Sequence, residues 1–154
     1  GVFLYRDDSL PPILPFAFDL WVFLDSFEHI GDPAVFLAWM TENSGGSAKV
    51  LLVAPDGGSL SARLMGRHWP HRLPDHPFHW TRKGITDLFD RHGFRLALSF
   101  YPWKHVSLGM ILSHVGLMYS GGKRKDPDGG KALGRVHFRL NSGEMELVFQ
   151  RGCA

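Results

Sequence analysis

An α/β fold with a doubly wound, mostly parallel sheet is what this sequence predicts, and three observations carry the prediction. Apolar runs of strand length, Phe18–Leu24 and Lys49–Ala54, are separated by a segment with helical spacing. The strand-like runs stop abruptly in polar or turn residues, Asp7-Asp8, Asp25-Ser26 and Pro55-Asp56. In a parallel sheet those ends share one edge, which is where open α/β sheets place their ligands. Finally, 154 residues are enough for one domain with a sizeable core, so residues 1–154 are expected to form a single domain.

Val2 to Tyr5 is a short apolar run, and the prolines of Leu10-Pro-Pro-Ile-Leu-Pro15 enforce an extended link to Phe18. Leu20 to Leu24 is unbroken and aromatic-rich, which suits a strand covered on both faces. Asp32-Pro33 supplies an N-cap and a first-turn proline. Val35, Phe36, Trp39 and Met40 then form one apolar stripe, and Gly45-Gly46 is expected to stop that helix with positive φ. Lys49–Ala54 is the next strand. Ser59 caps a short helix with Leu60 and Leu64 on one face and Gly66 at its end.

From Arg67 to Trp80 three prolines forbid regular helix, leaving a long loop rich in His and Trp. Thr81 caps a helix carrying Ile85, Leu88 and Phe89, stopped by Gly93. Phe94–Tyr101 reads as strand, and Leu108, Ile111, Leu112 and Val115 as an amphipathic helix. Residues 121–134 read as a Gly- and Lys-rich surface loop. Val136–Leu140 and Met145–Phe149 are the last strand signals, either a hairpin or one strand bulged at Asn141-Ser-Gly143.

Hydrophobic content of 44% and charge of 21% are ordinary for a globular protein, and a net charge of +2 is too small to argue for nucleic acid or anionic membrane. The run Lys123-Arg124-Lys125 is too narrow to change that. One cysteine, Cys153, permits no internal disulfide and fits a reducing, cytoplasmic setting. No apolar run approaches the roughly 20 residues of a membrane span, and the start shows no signal-peptide pattern. The chain opens at Gly1 directly in strand-like sequence, so it is expected to be a piece of a longer protein.

The residues also resemble a known family. Phe18-Asp19, then Glu28-His29, then Asp32-Pro33, is similar to the fourth-strand signature of class I S-adenosylmethionine-dependent methyltransferases. Gly45-Gly46 resembles their Pro-Gly-Gly turn, with Ser44 in place of proline. Ala54-Pro55, Ser59-Leu-Ser-Ala-Arg-Leu-Met-Gly66, Trp69, Asp75-His76, Thr81 and Gly93-Phe94 resemble a subgroup acting on small molecules. Gly143-Glu-Met-Glu-Leu-Val148 resembles the final antiparallel strand of that Rossmann-like fold.

The resemblance implies a methyltransferase that uses S-adenosylmethionine on an O, N or C atom of a small molecule, as part of a larger parent enzyme. Asp7 or Asp8, with Ser9, takes the adenine-side position, and Asp25-Ser26 the position near the methionine end. The family's Gly-rich turn and ribose-binding acid have no counterpart in this chain, and the absent strands would lie beside Phe18–Leu24. Weak cofactor binding by this chain alone, or none, is therefore expected, together with poor solubility or direct pairing of Val2–Tyr5 with that strand. A truncated, non-catalytic interaction module is the first rival. A dehydrogenase is the second, disfavoured because no dinucleotide fingerprint is present.

Methyl transfer is an in-line displacement, so orientation supplies much of the rate and an O or N nucleophile needs a base within reach. His29, at the strand mouth, and His76, in the loop expected to fold over it, are the candidate bases. Each has a plainer reading, as a backbone partner or a loop anchor. Asp25, Glu28 and His29 together could hold magnesium, as a similar Glu-x-x-Glu-His cluster does in some ubiquinone-type O-methyltransferases. His68, His71, His76 and His79 match no zinc spacing, and no metal is expected at either set. Trp69, Phe78 and Trp80 form an aromatic wall or anchor the loop to the core.

Overall fold

The computed structural model describes residues 14–74, 76–107, 119–120, 123–124, 137–141 and 143–152. Val2–Tyr5, Asp7, Asp8, Ser9, Asp75, Cys153, the Leu108–Val115 segment and most of the 121–134 loop lie outside them. Among the described residues the main sheet has four strands: β1 (Phe18–Leu24), β2 (Ser44–Pro55), β3 (Phe94–Phe100) and, last of them in the chain, β8 (Glu144–Arg151). Their order is β1-β2-β8-β3. β1 runs parallel to β2, and β8 is inserted antiparallel between β2 and β3. The parallel pairing puts Leu24 beside Val53, so the ends carrying Asp25 and Pro55 share an edge, as the strand ends predict.

The α-helices among the described residues are α1 (Pro33–Glu42), α2 (Leu60–Met65) and α3 (Arg82–Arg91). Each begins where a capping side chain accepts an otherwise orphaned amide: Asp32 from Val35, Ser59 from Ala62, Thr81 from Gly84. Alternation along the strands sends Phe23, Val50, Leu52, Ala54, Met145, Leu147 and Phe149 to one face. There they meet Leu37 and Met40 of α1 and Ile85 and Phe89 of α3. Phe89 stacks on Phe149 with ring centroids 4.3 Å apart. Among the described residues the core therefore lies between one face of the sheet and helices α1 and α3.

Several expectations are corrected. β1 is not covered on both faces among the described residues, because the core helices pack on its Trp21 and Phe23 side while Leu20, Val22 and Leu24 are exposed. In α1 the buried positions are Pro33, Leu37 and Met40; Phe36 and Trp39 of the expected stripe are partly buried against the core, whereas Val35 is exposed. Gly45-Gly46 does not end the helix. Asn43 does, its amide group donating to the Trp39 carbonyl at 2.8 Å, and both glycines lie inside β2 without positive φ. A Cβ on Gly45 would sit 2.7 Å from Oδ1 of exposed Asp19, where the β1–β2 register shifts, so β1 passes close to this position. Leu60 and Leu64 share a face of α2 but are exposed.

The end of the chain follows neither alternative open at the sequence level. β7 (His137–Leu140) leaves the main sheet and pairs antiparallel with β4 (Lys104–Ser107), and β8 starts afresh after Gly143. A pair of two-residue strands, β5 (Tyr119–Ser120) and β6 (Lys123–Arg124), occupies part of what reads as loop. Among the described residues no helix is long and apolar enough to cross a membrane.

Candidate functional site at the shared strand edge

β1 ends at Asp25, a non-glycine residue with φ of 46°. Aspartate tolerates this left-handed region better than most side chains, and residues held there recur at functional positions. Its amide still reaches the Val53 carbonyl at 3.0 Å, so the chain leaves the sheet only after this residue. Asp25 and Ser26 are both exposed at the edge. A single 3₁₀ turn, Phe27–His29, follows. Phe27 is fully buried against Phe23, Trp80 and Phe89 and anchors the turn that carries Glu28 and His29.

Glu28 is only 2% exposed, and its Oε2 is buried with no hydrogen-bond partner. Such an oxygen is costly unless something occupies the space beside it. His29 is exposed, and the loop folds back so that the His76 ring packs edge-on against it, centroids 4.7 Å apart. The two histidines singled out as candidate bases thus meet at the strand mouth. Glu28, His29 and His76 offer ligand atoms all within 4.8 Å of one another.

The loop is held from beneath by its aromatics. Trp69 is buried, Trp80 packs on Phe27, and Phe78 stacks on Trp80 at 5.1 Å. Trp69 and Trp80 are therefore anchors to the core rather than a free wall. The four-histidine set is not assembled among the described residues. His68 accepts from Arg67 Nε at 3.1 Å, His71 turns toward Glu144, and only the rings of His76 and His79 are neighbours, at 6.4 Å. A cleft of about 230 Å³ lined by Gly57, Ala62, Trp69, Arg72, His79 and Thr81 shares none of the Glu28, His29 and His76 cluster.

Asp56 does not line the crevice. Its buried carboxylate accepts from the amides of Gly58 (2.8 Å) and Arg82 (3.2 Å) and from the Tyr101 hydroxyl (2.6 Å). Burial first, and then this bond, push the Tyr101 hydroxyl up to about 12. The carboxylate thus ties the end of β2 to the start of α3 and the end of β3.

One group of residues escaped the sequence reading. Glu144, buried at the start of β8, is paired with Lys104 and lies 3.9 Å from His71 Nε2. These three positions are scattered along the chain, and only the β2–β8 pairing brings Glu144 to this edge. Desolvation lowers the His71 pKa below its ordinary value and outweighs the attraction of Glu144; Lys104 and His76 lower it further, and Asp25 opposes them. The fold therefore favours neutral His71. Because the folded pKa lies below the unfolded value of about 6.5, this contribution is present above pH ~6.5 and is lost as pH falls through the folded pKa. Thermal melts from pH 5 to 7.5 are expected to show stability rising with pH, and His71→Gln to flatten that rise. An unchanged profile in the variant would assign the effect elsewhere.

A family model described as a methyltransferase domain matches residues 6–98, more than half of the chain. Solved structures share the fold at low identity. An S-adenosylmethionine-dependent methyltransferase from Thermotoga maritima aligns with a TM-score of 0.56 at 13% identity, covering 99% of this chain and 65% of that one. One from Methanosarcina mazei gives 0.54 at 13% identity, covering 97% and 66%. Magnesium protoporphyrin IX methyltransferase from Synechocystis PCC 6803, solved with bound S-adenosylhomocysteine, gives 0.52 at 10%, covering 97% and 51%. The chain thus spans between about half and two thirds of these proteins. No curated protein matches it in sequence. The chain belongs to the methyltransferase domain family, and its sheet is built on the fold of S-adenosylmethionine-dependent methyltransferases.

Proposed function

We propose that this chain is the single-domain part of an enzyme that transfers a methyl group from S-adenosylmethionine to an O, N or C atom of a small molecule. The observation that carries the reading is the meeting of His29 and His76 beside Asp25, at the shared edge of β1 and β2, in a chain of this family. Asp25 and Ser26 suit the cofactor's methionine end, because they stand exposed at that edge, where the backbone turns away from the strand at Asp25 with φ of 46°. Asp7, Asp8 and Ser9 are the proposed adenine-side residues. When bound, the cofactor supplies an electrophilic sulfonium methyl. The chain's own part is to orient the nucleophile and, for an oxygen or nitrogen, to take up its proton on His29 or His76.

A small-molecule substrate and a cytoplasmic setting are supported by the weak net charge and the single cysteine. Turnover of labelled methyl donor against a substrate panel tests the reading. His29→Gln or His76→Gln is expected to lower kcat by about 10²–10⁴-fold for whichever residue is the base. Full kcat in both variants would remove these residues from the chemistry. Donor binding without any turnover would favour the interaction-module alternative.

A further inference from the structure

We propose that Glu28, His29 and His76 form a binding site for a divalent ion of the zinc class. Two independent observations support it. Their ligand atoms lie within 4.8 Å of one another, drawn from a 3₁₀ turn and a loop 47 positions downstream. Glu28 Oε2, moreover, is buried without a hydrogen-bond partner, although Glu28 is only 2% exposed. A buried carboxyl oxygen left without a partner is costly, and a cation beside it would remove that cost.

The donor set selects the ion. Two imidazole nitrogens and one carboxylate oxygen suit zinc and its transition-metal neighbours, whereas magnesium prefers oxygen ligands and retains its waters. The set differs from the Asp25, Glu28 and His29 pattern weighed from sequence, because His76 joins it and Asp25 does not. Tetrahedral zinc with ligand distances of about 2.1 Å needs its donors roughly 3.4 Å apart. The widest pair must therefore close by up to about 1.4 Å, a movement on the scale of a side-chain rotation with a small loop shift. Three protein ligands leave a fourth position for water or for an oxygen donor of a substrate.

The ion would also tie the His-rich loop to the strand mouth. Coordination uses the imidazole lone pair that proton uptake needs, so a bound ion excludes base work by that nitrogen. Base work by His29 or His76 therefore belongs to the ion-free protein, and the test of the ion site uses neither donor nor turnover.

The purified protein is stripped with chelator and titrated with Zn²⁺ in competition with a chromophoric chelator, then with Co²⁺ monitored by visible d–d absorption. One equivalent of zinc is expected, unaffected by millimolar Mg²⁺, with a cobalt spectrum of tetrahedral intensity. Glu28→Gln, His29→Asn and His76→Asn are each expected to weaken zinc by at least about tenfold. His76 lies on a loop, so its variant is expected to melt as the parent does without zinc and to lose the zinc-dependent rise in melting temperature. Absence of stoichiometric zinc, equal competition by magnesium, or unchanged affinity in the His76 variant would each overturn the site.

Discussion

Asp56→Ala is expected to destabilise the fold by about 3 kcal/mol, because it removes a buried carboxylate that accepts three hydrogen bonds at once. The carboxylate satisfies the amides of Gly58 and Arg82 and the hydroxyl of Tyr101. In the same turn, the Asp56 amide donates to the Gly143 carbonyl at 2.7 Å and Gly57 to the Trp80 carbonyl at 2.7 Å. Loss of the carboxylate thus loosens the junction where β2, β8, α3 and the histidine loop meet. Denaturant midpoints measure the loss. Tyr101→Phe is the control: it removes only one partner and is expected to cost about 1 kcal/mol. If Asp56→Ala costs no more than Tyr101→Phe, the carboxylate is not the junction described here.

Gly143→Ala is expected to cost about 2–4 kcal/mol from two sources that add. The residue has φ of 89°, a conformation unfavourable for any side chain. A Cβ there would also stand 2.5 Å from Ser61 Oγ and closer still to Ser59 Oγ. Ser59 cannot turn away freely, because its hydroxyl caps α2 by accepting from Ala62. A triple variant that also carries Ser59→Ala and Ser61→Ala separates the two sources. It relieves the clash and leaves the backbone term, so it is expected to recover part of the melting temperature in spite of the lost cap. Equal stability of Gly143→Ala and the parent would mean that the start of β8 is less constrained than its contacts indicate.

Local chemistry made much of the fold legible in the sequence. The bounds of β1 coincide with its apolar run, and Asp32, Ser59 and Thr81 are caps because a short oxygen-bearing side chain precedes each helical pattern. Gly66 and Gly93 are stops with positive φ for the same local reason. What was not legible depends on partners far along the chain. Gly45 looks like a helix stop until β1 is seen to pass against it. Val136–Leu140 looks like a companion of β8 until β4 is seen to claim it.

The site divides in the same way. Asp25, Ser26 and His29 stand out because a polar cluster follows an unbroken apolar run, and His76 because its loop is loaded with ring nitrogens. Glu144 and Lys104 are ordinary strand residues in sequence and become a buried pair beside His71 only through long-range sheet pairing. Asp56 looks like another exposed mouth residue, yet its carboxylate is consumed by structure.

The central claim is that the edge shared by the ends of β1 and β2 faces the cofactor. Amide chemical-shift mapping of S-adenosylhomocysteine on the isotopically labelled protein tests it directly, and it tolerates weak binding because millimolar ligand can be used. The expected result is a set of perturbed amides centred on Asp25, Ser26, Glu28 and His29, with Arg91–Phe94 at the opposite end of the sheet unchanged. Perturbations centred on that opposite end, or none at millimolar ligand, would contradict it.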